Sequence, residues 1–460
     1  MDQVSPARNE EPLSDDPSRV ASCGLSLAPF RGLRYAPERI SSLAAVTSPP
    51  YDVVDLPDGR DQLETADPHN IVRLILPHNA EDPAARYRHA GELLDAWQRQ
   101  GVLRPDPEPA LYVYEQQAPE SQGGTLQRGL IGALTLSGPE SGLVLPHEDV
   151  MPQPVADRVA LMRTTRANLE PLLLTYQGNG GAAEVIERTA ATRPVLETAT
   201  TDGTHHRLWS VTGPADLAAV ARDLATCRAL IADGHHRWAT YRRLQQEHRY
   251  LARSPWERGM VLLVDTARYP LRVRAIHRLL QQVPLRDAVA ALTALGPQWQ
   301  TQPLPSADGA PPSPAAVLSA LASAKAEHPD RNAYVLAGPE PDGTDHAVLV
   351  TAGPGAIPAD ALPADRPEEW RLLDATVLHS VLLDRVWRVP DAPEHIRYFH
   401  DARAAVREAR RHSGTAVLMH PVAESTVLRL AEQGVTMPRK STSFGPKPAT
   451  GLVLRSLHLD

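Results

Sequence analysis

Five consecutive residues, Asp233-Gly-His-His-Arg237, place a carboxylate, two imidazoles and a guanidinium directly behind the aliphatic run Arg228-Ala-Leu-Ile-Ala232. The run reads as a strand and residues 238–250 as a helix, so the five lie at a strand–turn–helix junction. A helix start presents unpaired N–H groups and a partial positive charge, which suits an anion. Asp233 is expected to cap free amides there, and Gly234 to let a ligand approach the backbone. Arg237 can fork onto a phosphate, and His235 or His236 can donate or transfer a proton. The plainer alternative is that Asp233 only caps the helix while the histidines fill polar space. Zinc is the weaker option, because adjacent histidines lack the i, i+4 spacing of a helical metal pair and no cysteine cluster supports them. No metal ligand is therefore assigned.

A second concentration of polar groups is Met437-Pro-Arg-Lys-Ser-Thr-Ser-Phe-Gly-Pro-Lys-Pro-Ala-Thr-Gly451. The chain has 47 basic residues, of which only Lys325, Lys440 and Lys447 are lysines. In a chain that otherwise uses arginine, a lysine points to a need for a compact ammonium on a flexible stem. The segment is no Walker A loop, since glycines do not precede the lysine at the required spacing. Lys440, Ser441, Thr442 and Lys447 on this proline-stiffened stretch could complete a phosphate or carboxylate site; a polar strand edge packed through Phe444 is the alternative. Pro146-His147-Glu148 offers a base or ligand, with Asp157 and Arg158 expected at a helix start. Tyr51, Asp52 and Asn70 sit at element ends, where functional side chains collect. His277-Arg278 follows the alternating Leu271–Ala275, where a solvated strand end is the plainer alternative; Tyr51, Asn70, His147, Arg158 and Arg278 are, with the Asp233 turn and the lysine segment, the candidates for binding a ligand or its phosphate.

Taken together, these stretches resemble the DUF1015 family of bacterial and archaeal proteins of unknown function. The matching residues are Pro29–Tyr35, Pro49–Val53, Asn70–Leu74, His147-Glu148 with Asp157-Arg158, Ala232–Arg237, His277-Arg278 and Met437–Gly451, in that order. They span almost the whole chain from near residue 28. The Asp-Gly-His-His-Arg turn also looks like the phosphate-contacting loop of ParB/sulfiredoxin-like proteins, including free-serine kinases of that fold. The resemblance implies that this turn holds nucleotide phosphates. Asp149-Val150-Met151, Arg439 and Ser443-Phe444-Gly445 depart from the family pattern, which leaves the substrate open.

The elements that must position these groups alternate between strand and helix. Strands are expected at 25–35, Asn70–Pro77, Ala110–Gln116, Gln127–Leu136, Leu172–Tyr176, Arg228–Ala232, Gly259–Asp265, Asn332–Leu336, His346–Thr351, Ala416–Met419 and Gly451–Leu454. Helices are expected at 83–100, 155–170, 214–226, 238–250, Leu372–Val389, Ala402–Arg411 and Val422–Gln433. Ser121-Gln-Gly-Gly124 reads as a hairpin connection, which argues against a purely parallel sheet. The fold class is mixed α/β (α+β), a mixed sheet core with helices and a ParB/sulfiredoxin-like element around the turn. Four regions follow: a disordered tail at 1–24, an N-terminal α/β domain at 25–300, a Pro/Ser-rich linker or loop at 301–315, and a C-terminal α/β region at 316–460.

Composition narrows the function classes. A net charge of −8 and 42% hydrophobic content describe a globular protein without the basic excess of a nucleic-acid binder. Cys23 and Cys227 are too few and too distant for a disulfide framework, so a reducing, cytoplasmic setting is expected. No signal peptide is expected from the acidic N-terminus, and no membrane span from apolar runs that all fall short of the needed length. The expected activity is phosphoryl transfer from ATP or ADP, with Mg²⁺, to a small hydroxylated metabolite such as an amino acid. His235, His236, Glu148 and Asp52 are the catalytic candidates. A nucleotide-binding regulator without catalysis is the alternative, and a ParB-like DNA-associated role a third. Acceptor, nucleotide and oligomeric state stay open.

Overall fold

The computed structural model describes residues 24–459, apart from 55–57, 79–81, 83–84, 121–123, 252–253 and 306–312. The expected tail (with Cys23), most of the hairpin connection and the centre of the expected linker lie outside the described residues. The fold is mixed α/β, as the alternation predicts. Among the described residues the largest sheet has nine strands. Its path runs Val144–Leu145, Ala229–Asp233, Leu172–Tyr176, Arg258–Asp265, Leu126–Thr135, Leu111–Gln117, His205–Val211 and Leu196–Ala199, with Leu27–Ala28 also on Leu126–Thr135. Two neighbour pairs are parallel: Ala229–Asp233 with Val144–Leu145, and Arg258–Asp265 with Leu172–Tyr176. The hairpin of Leu111–Gln117 and Leu126–Thr135 is antiparallel.

The central strands are apolar without alternation because both faces are covered. One face, with Leu172, Leu174, Ile231, Val261 and Leu263, packs against Trp238, Tyr241 and Leu244 of the helix His235–Glu247. The other, with Leu173, Leu230, Ala232, Met260 and Leu262, lies under Val427, Leu430, Met437, Phe444 and Leu452 from the end of the chain. That second contact brings the lysine-bearing segment onto the sheet. Ser443–Gly445 pairs with Arg272–Arg274, and Leu454–Ser456 joins Gly32–Tyr35 in a four-stranded sheet. A six-stranded sheet is built from Trp299–Pro303, Asp345–Ala352, Asn332–Pro339, Thr415–Met419, His277–Leu280 and Ile396–Phe399, in that order.

Several expected elements are corrected. Asn70–Pro77 is not a strand but leads into a helical turn, Val72–Ile75. The Asn70 side chain explains it. Its Oδ1 accepts from Val72 N at 2.9 Å, while its Nδ2 donates to the carbonyls of Ala45 and Thr47. Ile71, Leu74 and Ile75 then bury on one side of the turn, against Leu94 and Trp97. The strand expected at Gly451–Leu454 starts at Leu454, because Gly451 turns the chain at φ +99°. Residues 155–170 are expected to be helical, but the helix is Pro152–Thr165, so Asp157 and Arg158 lie in its second turn rather than at its start. The helix expected at 238–250 begins three residues earlier, at His235. His277 and Arg278 are no solvated strand end: they are 4% and 1% exposed, inside the six-stranded sheet.

Candidate functional site

The strand Ala229–Asp233 is buried throughout and delivers Asp233 to its C-terminal end. Gly234 follows at φ +97°, where a Cβ would come within 2.8 Å of the Leu172 side chain. Glycine is thus favoured by conformation, and a Cβ would in addition oblige the Leu172 side chain to give way. The helix opens at His235 with no side-chain cap, which corrects the capping role expected of Asp233. Its carboxylate is used otherwise. One oxygen takes Arg237 Nη2 at 2.7 Å, and the other takes Lys447 Nζ at 2.6 Å. Lys447 also reaches Asp52 Oδ2 at 2.6 Å. One ammonium thereby ties three distant stretches of chain together.

Charge balance follows from this bridge. Burial alone would raise the Asp52 carboxyl, but Lys447 and Arg237 outweigh it and hold the group below the usual range. Burial pulls Lys447 down, while Asp233 and Asp52 more than reverse that and raise it. Both groups are therefore charged at neutral pH. The geometry also corrects the expectation that Arg237 forks onto a ligand. Its guanidinium is only 4% exposed, and its second branch donates to Pro171 O at 2.9 Å. Arg237 acts on Asp233, not outward.

The two histidines part company. His235 is buried, edge-on to His147 at 4.5 Å between centroids, and its Nε2 accepts from the His147 amide at 3.2 Å. Burial, with His147 and His236 beside it, holds its pKa well below the usual histidine range. A neutral ring accepting at Nε2 carries its proton on Nδ1, which faces Glu148 Oε2 at 3.9 Å. His236 is half-buried and accepts from Met151 N at 3.1 Å. Glu148 is raised above the ordinary carboxyl range by burial, against the opposing charge of Lys440 and a hydrogen bond from the Lys440 amide.

The C-terminal segment supplies the opposite wall. Lys440 is exposed, in a left-handed conformation at φ +56°, and its carbonyl accepts from Arg278 Nη2 at 3.0 Å. Thr442 Oγ1 meets His147 Nε2 at 3.1 Å, while Ser441 is buried. The remaining candidates stand behind this front. Tyr51 has Arg158 and Arg237 over its ring at 4.4 and 5.9 Å. Arg158 is buried on Asp157 and the Ile75 carbonyl, Asn70 is fully buried as a turn former, and Arg278 is buried under the Lys440 turn. Structure thus brings Asp52, Glu148, Asp233, Gly234, His236, Lys440 and Lys447 together, backed by His147, His235 and Arg237.

Two groups at the site were not singled out from the sequence. Glu170 is buried, raised by that burial, and its Oε1 accepts the Tyr51 amide at 2.9 Å, which fixes the turn carrying Asp52. A carboxylate heading the apolar run Pro171–Leu174 was the available signal. His400 lies near Lys447, Lys440 and Asp52, whose charges act on it; no motif marks it. Among the described residues, no group of three or more His, Cys, Asp or Glu is arranged to hold a metal ion.

The profile of the family described as "Protein of unknown function (DUF1015)" matches residues 27–375. The chain belongs to the DUF1015 family. Comparison with curated proteins finds no match. Among solved structures, this DUF1015 chain is similar to a free serine kinase in complex with AMP, at 14% identity and a TM-score of 0.34, covering 69% of this chain and 90% of that one. It is also similar to a conserved hypothetical protein from Pyrococcus furiosus, at 14% identity and a TM-score of 0.32, covering 69% of this chain and 94% of that one. Among the described residues no helix is long and apolar enough to cross a membrane.

Proposed function

We propose that this DUF1015 protein binds a nucleotide, ATP or ADP, or a related phosphometabolite at the uncapped start of the helix His235–Glu247, and transfers a phosphoryl group to a small hydroxylated metabolite such as an amino acid. The observation that carries the reading is the Lys447 bridge between Asp52 and Asp233 beside that helix start. A fixed ammonium next to free backbone amides suits phosphate oxygens, and Lys440 adds a second, exposed cation. Glu148 takes the role of base. Its raised pKa brings it nearer to neutral pH, where proton acceptance is most effective. The acceptor hydroxyl attacks the terminal phosphorus, the bond from that phosphorus to the bridging oxygen breaks, and the hydroxyl proton passes to Glu148. Mg²⁺ would arrive with the nucleotide phosphates.

The test is direct. Purified protein is incubated with ATP or ADP, Mg²⁺ and a panel of hydroxylated amino acids, and both melting temperature and product are followed. Nucleotide is expected to raise Tm, with turnover lost in Glu148→Gln and binding weakened in Lys447→Met. A Tm shift without turnover for any acceptor would identify a binding protein instead. Neither shift nor turnover would end the reading.

A further inference from the structure

Lys447 is the pivot of the site, yet its own stem is flexible and its segment is short. What holds the segment is a buried polar network on the nine-stranded sheet. Gln127 Nε2 donates to the carbonyl of Pro446 at 3.2 Å, and the amide of Ala449 donates to the Tyr114 hydroxyl at 3.1 Å. The backbone is thus gripped on either side of Lys447. The two grips are joined. Tyr114 Oη lies 3.0 Å from Gln116 Oε1, and Gln116 Nε2 donates to Gln127 Oε1 at 2.7 Å. His206 Nδ1 sits 2.9 Å from the same hydroxyl, its ring stacked on Tyr114 with 6° between planes.

All four side chains are 4% exposed or less, on strands whose other inward residues are apolar. A polar quartet in such a place costs desolvation unless every member is satisfied. This one spends its bonds on a carbonyl just before and an amide two residues after a single lysine. We infer that Tyr114 and Gln127 are positioning residues that aim the Lys447 ammonium at Asp52 and Asp233, and that Gln116 and His206 hold them in register. The chemical consequence rests on the proposed phosphoryl transfer; the positioning itself does not.

The chain contains only three lysines, which makes the test clean. Competitive trace acetylation of the intact protein, read by peptide mass spectrometry, reports each amine separately. In the unaltered protein Lys447, paired with two carboxylates, is expected to label several-fold more slowly than exposed Lys440. Equal rates would overturn the proposal at once. Tyr114→Phe and Gln127→Met each remove one grip while keeping bulk, and should raise Lys447 labelling about fivefold, the equivalent of one net hydrogen bond. Lys440 labelling should stay fixed. Tyr334→Phe is the control, since it deletes an equally buried hydroxyl, bonded to Asp374 O, in the six-stranded sheet. Unchanged Lys447 labelling in both grip variants, or an equal rise in the control, sinks the inference. Labelling that responds while no phosphoryl transfer is found upholds the positioning and removes only the proposed chemistry.

Discussion

At the scale of single residues, the two carboxylates on Lys447 look alike and should behave differently. Asp233 is 9% exposed overall and shared with the buried Arg237 guanidinium, whereas the Asp52 side chain is 36% exposed. Asp233→Asn leaves a buried cation facing a neutral amide, which costs on the order of 3–5 kcal/mol. Asp52→Asn breaks a pair open to water and should cost about 1 kcal/mol or less. Urea unfolding of the two variants checks this ordering. Equal losses would mean that Arg237 does not depend on Asp233. Glu148 offers a second residue-level outcome. If it is the base, activity should fall on the acid side with an apparent pKa above the ordinary carboxyl range, because burial raises it. Direction matters here: the active form is ionised, so activity is gained as pH rises through that value. A variant with Cys227, which is buried and away from the site, changed to Ala should leave the acid limb where it is.

At the scale of elements, the junction after Ala232 depends on one glycine. Gly234→Ala meets both the strain of φ +97° and a Cβ 2.8 Å from the Leu172 side chain, so a loss of roughly 1–3 kcal/mol is expected. Asn70→Ala removes three hydrogen bonds from a fully buried turn and should cost about 2–4 kcal/mol. Thermal melts read both; an Asn70→Ala variant as stable as the parent would return Asn70 to the list of ligand groups. These two positions also mark what the sequence makes legible. The strand before Asp233 and the glycine after it follow from aliphatic patterning and turn chemistry, which are local. Asn70 was not readable as a turn former, because the aliphatic residues on either side of Arg73 would bury equally well in a strand and a turn; only the contacts to Ala45 and Thr47 decide. The rarity of lysine pointed to Lys447 and Lys440. Nothing local shows that Lys447 would return across the sheet to Asp52, or that Arg237 would turn inward to Asp233. Tyr114, Gln116 and Gln127 stand among Glu115, Gln117 and Arg128 and read as the polar ends of a hairpin, and only the covering C-terminal segment makes them interior.

At the scale of the whole molecule, the interior holds histidines in three separate places: His147 beside His235 at the site, His206 in the nine-stranded sheet, and His277 in the six-stranded sheet, with His379 near it on Arg278. His147, His206 and His277 are 4% exposed or less, and burial lowers each of the three to about 4. In the unfolded chain their pKa returns to roughly 6.5. The folded state therefore keeps them neutral where the unfolded state takes up protons. Stability is fully present above that unfolded value and is lost as pH falls toward 4. By pH 5 each contributes a loss on the order of 2 kcal/mol. Glu170, raised by burial, works in the opposite sense, gaining stability as pH falls, and so blunts the lower part of the fall. The urea midpoint should thus drop steadily between pH 7 and pH 5. His277→Gln, which retains an acceptor for the Met419 amide now bonded to Nδ1 at 3.1 Å, should flatten the slope by about one fifth, since His235 and His379 are also held low by burial and one of five such groups no longer titrates. A midpoint that stays level across that interval, or a slope indifferent to His277→Gln, would show that these rings take up protons without unfolding. The interior around the site would then be wetter than its packing implies.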